Sequence, residues 1–100
     1  MNDIFDLFGA VADGGKSNSP IDRTDVNGFM VSTVDTMDKG PETAIVDANG
    51  AHPVERYGSV KEATIGHAMW VSRIKNGLRD VSELGYGSLV DAEKITLKSK

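Results

Sequence analysis

Apolar positions follow three different rhythms along this chain. In residues 2–12, NDIFDLFGAVA, the side chains Ile4, Phe5, Leu7, Phe8 and Val11 recur at helical spacing behind an Asn2 or Asp3 cap. Asp13-Gly14-Gly15 stops the stripe. A helix of about three turns does not hold alone in water. Its apolar face therefore needs a surface, either on its own domain or on another chain, with two Phe and a Leu as anchors. Residues 13–28, DGGKSNSPIDRTDVNG, carry the breakers Gly14, Gly15, Pro20 and Gly28 and almost no large apolar side chain, so they read as an extended arm.

A period of two takes over next. In residues 28–38, Phe29, Val31 and Thr33 fall on one face of a strand, with Met30, Ser32 and Val34 on the other. Asp38-Lys39-Gly40-Pro41 marks a turn, and Glu42 to Ala48 a second strand. Asn49-Gly50 is a strong hairpin signal, because a type I′ turn needs φ > 0 at both central residues. Taken literally, it pairs Ala48 with Ala51, Val46 with Pro53 and Ile45 with Val54, and places Ile45 and Val54 on one face. Pro53 has no amide to donate, so the third strand, Ala51 to Tyr57, belongs at an edge or a bulge.

The third rhythm is helical again. Ser59-Val60-Lys61-Glu62 is a capping box, and Asn76-Gly77 a stop signal. Between them Ala63, His67, Trp70, Val71 and Ile74, followed by Leu78, share a stripe suited to covering a sheet, while Arg73 and Lys75 complement the helix dipole. Arg79 to Ser88 reads as a loop or short helical turn. Leu89 to Leu97 offers one short strand before a frayed Lys-Ser-Lys end. The expected architecture is α+β: a three-stranded antiparallel sheet packed by one main helix, β-β-β-α. Residues 1–28 form the amphipathic segment and arm, 29–78 the domain, and 79–100 a C-terminal loop and tail.

Charge and composition narrow the functions. The chain has 100 residues, a net charge of −4 and no cysteine, which removes disulfides, thiolate nucleophiles and Cys-based metal sites. Residues 1–70 hold 11 acids against five bases, whereas residues 71–100 hold six bases against four acids. An acidic body without clustered Lys and Arg argues against direct nucleic-acid binding. No apolar run approaches a membrane span, and no secretion signal opens the chain. A protein of this size buries a modest core and gains from assembly.

Candidate chemistry is sparse. His52 on the edge strand and His67 on the helix stripe, with Glu55 and Glu62 near them in sequence, are the raw material of a His₂-carboxylate metal site, but their spacing matches no metal signature. A histidine on an apolar helix face is better explained as a half-buried side chain bonded to a carbonyl. Gly85-Tyr86-Gly87-Ser88 lacks the strand-to-helix setting of a phosphate loop. Asp35, Asp38, Glu42 and Asp47 read as a solvated acidic rim. Ser17, Ser19, Ser32 and Ser88 sit in no nucleophile motif. No catalytic residue, metal or cofactor is expected, and the expectation is a non-enzyme. Trp70 fits either a core or an interface anchor.

Glu42-Thr43-Ala44-Ile45-Val46, Val54-Glu55-Arg56-Tyr57, Lys61-Glu62-Ala63, Gly66-His67 and Trp70-Val71 together resemble a class of small uncharacterised proteins of tailed bacteriophages and prophages. The resemblance covers about residues 30–75. It departs at Thr64 and Ile65, where charged residues are commoner. It implies a phage origin and carries no functional residue with it. The function expected on this basis is a virion or assembly subunit (minor capsid, decoration or head–tail joining protein), located in the virion or the host cytoplasm and present in multiple copies. Ile4, Phe5, Leu7, Phe8 and Trp70 are its candidate partner-binding residues. The alternative is an inhibitor of a host nuclease, polymerase or defence factor that uses an acidic surface resembling nucleic-acid phosphates.

Overall fold

A computed structural model describes residues 19–37, 39–84 and 93–99. Four strands run as an antiparallel meander: β1 (Ser19–Val26), β2 (Phe29–Thr36), β3 (Gly40–Asp47) and β4 (Gly50–Arg56). Helix α1 (Val60–Lys75) follows, then a two-stranded sheet of β5 (Asp80–Glu83) and β6 (Glu93–Thr96). The α+β class with an antiparallel sheet and one helix is as expected, but the sheet has four strands rather than three. The added strand comes from residues read above as an extended arm. Its turn explains why: Asn27 (φ 53°) and Gly28 (φ 85°) both take the left-handed region, and Val26 pairs directly with Phe29. That is a type I′ hairpin at the earlier Asn-Gly of the chain.

The later Asn-Gly behaves differently. Asp47 pairs with Gly50 and Val46 with Ala51, so Ala48 and Asn49 form the loop and the expected register is corrected. The cause is Asp47, whose Oδ1 accepts the Asn49 amide at 2.8 Å in an Asx turn. A bulge then shifts the register so that Ala44 faces Pro53 while Thr43 faces Glu55. It brings Val54 into the core beside Ile45, as expected, on an edge strand that tolerates the proline.

Helix α1 forms where local signals place it. Ser59 Oγ accepts the Glu62 amide at 3.1 Å, and Glu62 Oε1 reaches back one residue further than expected, to the Gly58 amide. At the other end the Gly77 amide (φ 104°) donates to the Ile74 carbonyl and that of Leu78 to Arg73, closing a Schellman motif. Asn27 Nδ2 donates to the Ile74 and Lys75 carbonyls, tying the first hairpin to the helix end. The buried stripe Ala63, Gly66, His67, Trp70 and Ile74 lies on the sheet face that carries Phe29, Val31, Thr33, Thr43 and Ile45.

The C-terminal region is more ordered than expected. The short strand expected within Leu89 to Leu97 is β6, and the stretch read as a loop supplies its partner β5; Val81 and Leu97 join the core. Leu84 donates to the Pro53 carbonyl, Leu97 to Arg79, and Ala48 to Lys98. Lys98 in turn donates its amide to Asp47 Oδ2 at 2.9 Å, so this part of the tail is anchored.

Candidate functional site

Two polar clusters lie inside the fold, and each holds one histidine. The first sits between α1 and the sheet. His67, buried on the helix stripe, places Nδ1 2.7 Å from Thr33 Oγ1 and Nε2 2.9 Å from Thr24 Oγ1. Thr33 Oγ1 is 2.6 Å from Thr43 Oγ1, across the β2–β3 register, and Thr43 Oγ1 is 2.9 Å from the Tyr57 hydroxyl. The Glu55 carboxylate accepts the Trp70 indole N–H at 2.8 Å.

A neutral imidazole has one ring nitrogen that donates and one that accepts, and a threonine hydroxyl can serve either, so both nitrogens of His67 are satisfied without charge. Burial disfavours the imidazolium and holds His67 below its ordinary 6.5, and Asp22, 3.8 Å from Nε2, offsets only part of that. Burial, with the charge of Glu55 beside it, pushes the Tyr57 phenol up to about 12.

The Tyr57 ring lies over Gly66. A Cβ at Gly66 would stand 2.3 Å from Tyr57 Cε1 and 2.5 Å from its hydroxyl oxygen, so the close approach requires a residue without a side chain. Arg73 stacks over the Trp70 ring at 5.0 Å. Trp70 itself is 9% exposed and belongs to the core cluster. The residues carrying the phage-protein resemblance thus meet one another: Glu55 with Trp70, Tyr57 with Gly66, Arg56 with Glu42, and Glu62 with the start of the helix.

The second cluster clamps the C-terminal sheet. His52 Nε2 is 2.9 Å from Asp47 Oδ1, and His52 Nδ1 is 2.9 Å from Glu83 Oε1. Burial works against charge on His52, but an acceptor on each ring nitrogen outweighs it and holds the imidazole above 6.5. Burial likewise works against the Asp47 carboxylate, but the Lys98 and Asn49 amides and the His52 ring hold it below its ordinary 3.8. The acidic rim is therefore corrected at two positions. Glu42 is buried with Oε2 2.9 Å from Arg56 Nε, and Asp47 is buried in this cluster. Asp38 lies outside the described residues.

The two histidines are expected to titrate to opposite sides of 6.5, His52 above and His67 below, in an NMR pH titration of their ring protons. His52 binds its proton more tightly in the folded state. Its contribution to stability is fully present below pH 6.5 and fades as pH rises through its folded value. Glu83→Gln should lower the His52 midpoint and leave that of His67 in place. A His52 midpoint at or below 6.5 in the unaltered chain contradicts the clamp.

His52 and His67 are not brought together, and among the described residues no group of three His, Asp or Glu side chains could hold a metal ion. His67 is bonded to two threonine hydroxyls rather than to a carbonyl. Ile4, Phe5, Leu7, Phe8 and the Gly85–Ser88 turn lie outside the described residues. Thr24, Thr33, Thr43 and Tyr57 escaped the sequence reading because a threonine on a strand looks the same facing water or an imidazole. Comparison with protein-family models, curated proteins and solved structures finds no match. The functional reading rests on the geometry.

Proposed function

We propose that this chain is a non-enzymatic assembly subunit, a bacteriophage virion component of the kind its resemblance implies, which engages a larger structural protein through Ile4, Phe5, Leu7 and Phe8. The observation that supports this reading is where the reactive groups are committed. Among the described residues, both imidazoles, the Tyr57 phenol and the buried carboxylates are held in hydrogen bonds inside the fold. Apolar side chains face outward instead: Ile65 and Met69, one turn apart on α1, are 56% and 49% exposed. This division favours contact over turnover. The inhibitor reading draws less support, because burial of Glu42 and Asp47 against Arg56 and His52 interrupts the acidic surface on which it depends.

The test is purification of tagged chain from phage-infected cells, with mass spectrometry of the proteins that accompany it. Capsid, portal or tail proteins are expected, and Phe5→Ala with Phe8→Ala should reduce their capture at least tenfold while the far-UV circular dichroism is retained. Undiminished capture rejects the role of residues 4–8. A host enzyme in near-stoichiometric amount favours the inhibitor reading instead.

A further inference from the structure

Helix α1 has two faces, and the core explains one of them. The stripe Ala63, Gly66, His67, Trp70 and Ile74 packs on the sheet. At about 100° per residue, the opposite side is a ridge of Lys61, Ile65, Ala68 and Ser72, with Met69 on one shoulder between Glu62 and Arg73. All seven of these side chains are exposed. Ile65 and Met69, at 56% and 49%, stand one turn apart and form a single apolar patch. They add nothing to the core, and a purely solvated ridge is better served by charged residues.

The ridge is complementary to itself. A second copy of α1, turned antiparallel about a two-fold axis at Ala68, sets Ile65 of each copy over the small Ser72 of the other. Ala68 faces Ala68 there and lets the two backbones approach. On the shoulder Met69 meets Met69, and Glu62 meets Arg73 at each end, so the opposite-charge contact is made twice. Arg73 lies there stacked over Trp70 at 5.0 Å, and Glu62 bonds the Gly58 amide through Oε1, which leaves Oε2 for a cation. Lys61 and Lys75 come near each other at the outer margins, where long stems turn their ammonium groups to water. A parallel pair would instead oppose Glu62 to Glu62 and Arg73 to Arg73.

We propose that this ridge binds a second copy of the chain, helix against helix and antiparallel, with Ile65, Ala68, Met69 and Ser72 at the centre and Glu62–Arg73 pairs at the margins. The 16 residues of α1 give about 24 Å of contact. One helix buries less than the roughly 800 Å² per partner of a standard interface, so the dissociation constant is expected at about 10–100 µM. Only this chain is needed, so the contact holds or fails independently of the assembly reading.

Sedimentation velocity of the purified full chain, from about 5 to 500 µM, should show a reversible monomer–dimer equilibrium. Ile65→Glu, at an exposed position, should weaken it by about tenfold or more with the far-UV circular dichroism unchanged. A chain that stays monomeric throughout overturns the proposal. So does a dimer that Ile65→Glu leaves intact, which would place the contact on another surface. Single cysteines read the orientation, since the chain has none of its own. Ala68→Cys lies on the axis, where helices about 8–9 Å apart bring the two Cα atoms within disulfide reach. Ser72→Cys lies about 12 Å along the helix from its mate, beyond that reach. Oxidation should therefore link Ala68→Cys chains about ten or more times faster than Ser72→Cys chains. Equal rates, as a parallel pair or random collision would give, overturn the antiparallel contact.

Discussion

Gly66→Ala is expected to cost about 3 kcal/mol of stability, read as a lower denaturant midpoint at unchanged slope. A mid-helix glycine is ordinarily a weakness, and alanine there gains about 1 kcal/mol from helix propensity. Here the added methyl would sit between 2.3 and 2.6 Å from two ring carbons and the hydroxyl oxygen of Tyr57. A ring cannot yield as the tip of a flexible side chain does. Tyr57 must leave, and with it goes its bond to Thr43. The decisive control is the Tyr57→Ala background, in which Gly66→Ala should become stabilising. If the sign does not reverse, the clash is not what glycine serves at this position.

His67→Ala is expected to cost about 4 kcal/mol, as the sum of a core cavity and two threonine hydroxyls that lose a partner. Thr33→Val, nearly the same shape, should cost about 2 kcal/mol because it leaves the buried His67 Nδ1 without its hydrogen-bond partner. The two changes should not add, since both break one chain. A pH signature separates this network from simple packing. The fold holds His67 below 6.5, so its stabilisation is complete above pH 6.5 and is lost as pH falls through the folded value. The His67→Ala protein should lack that part of the acid limb. An acid limb identical in the two proteins would show that the imidazole does not titrate as the geometry requires. For a domain whose total stability is about 5–10 kcal/mol, either substitution at Gly66 or His67 consumes a large share.

The phage-protein resemblance takes on a physical meaning in this light. Among its residues are ones that hold the hairpin edge to the helix: Tyr57 over Gly66, Glu55 on Trp70, and Glu62 at the helix start. Such a pattern reports how a fold is built rather than what it does.

Each helix boundary was legible because its determinants sit within a few residues of one another. Ser59 bonds an amide three positions on, Gly77 supplies the positive φ at the end, and the 3.6-residue stripe from Ala63 to Ile74 needs no knowledge of the sheet. Strands β2 and β3 were legible from alternation. Strand β1 was legible in principle, since Asn27-Gly28 carries the hairpin signal, but the scarcity of large apolar residues before it favoured the reading of an arm. The structure explains that scarcity, for β1 is an edge strand, largely exposed along its length.

By itself, then, the sequence determined the α+β class, the capped helix and its buried stripe, and a chain without thiol chemistry. Tertiary structure alone decided the β3–β4 register, the burial of Glu42 and Asp47, and the anchoring of the C-terminal strands. It alone aligned Thr24, Thr33, Thr43 and Tyr57 on His67. The physical reason is separation along the chain. Capping and periodicity are settled between neighbours. A buried carboxylate or a hydroxyl linked into a chain also depends on partners far along the sequence, as Asp47 does on Lys98 and Thr33 on His67.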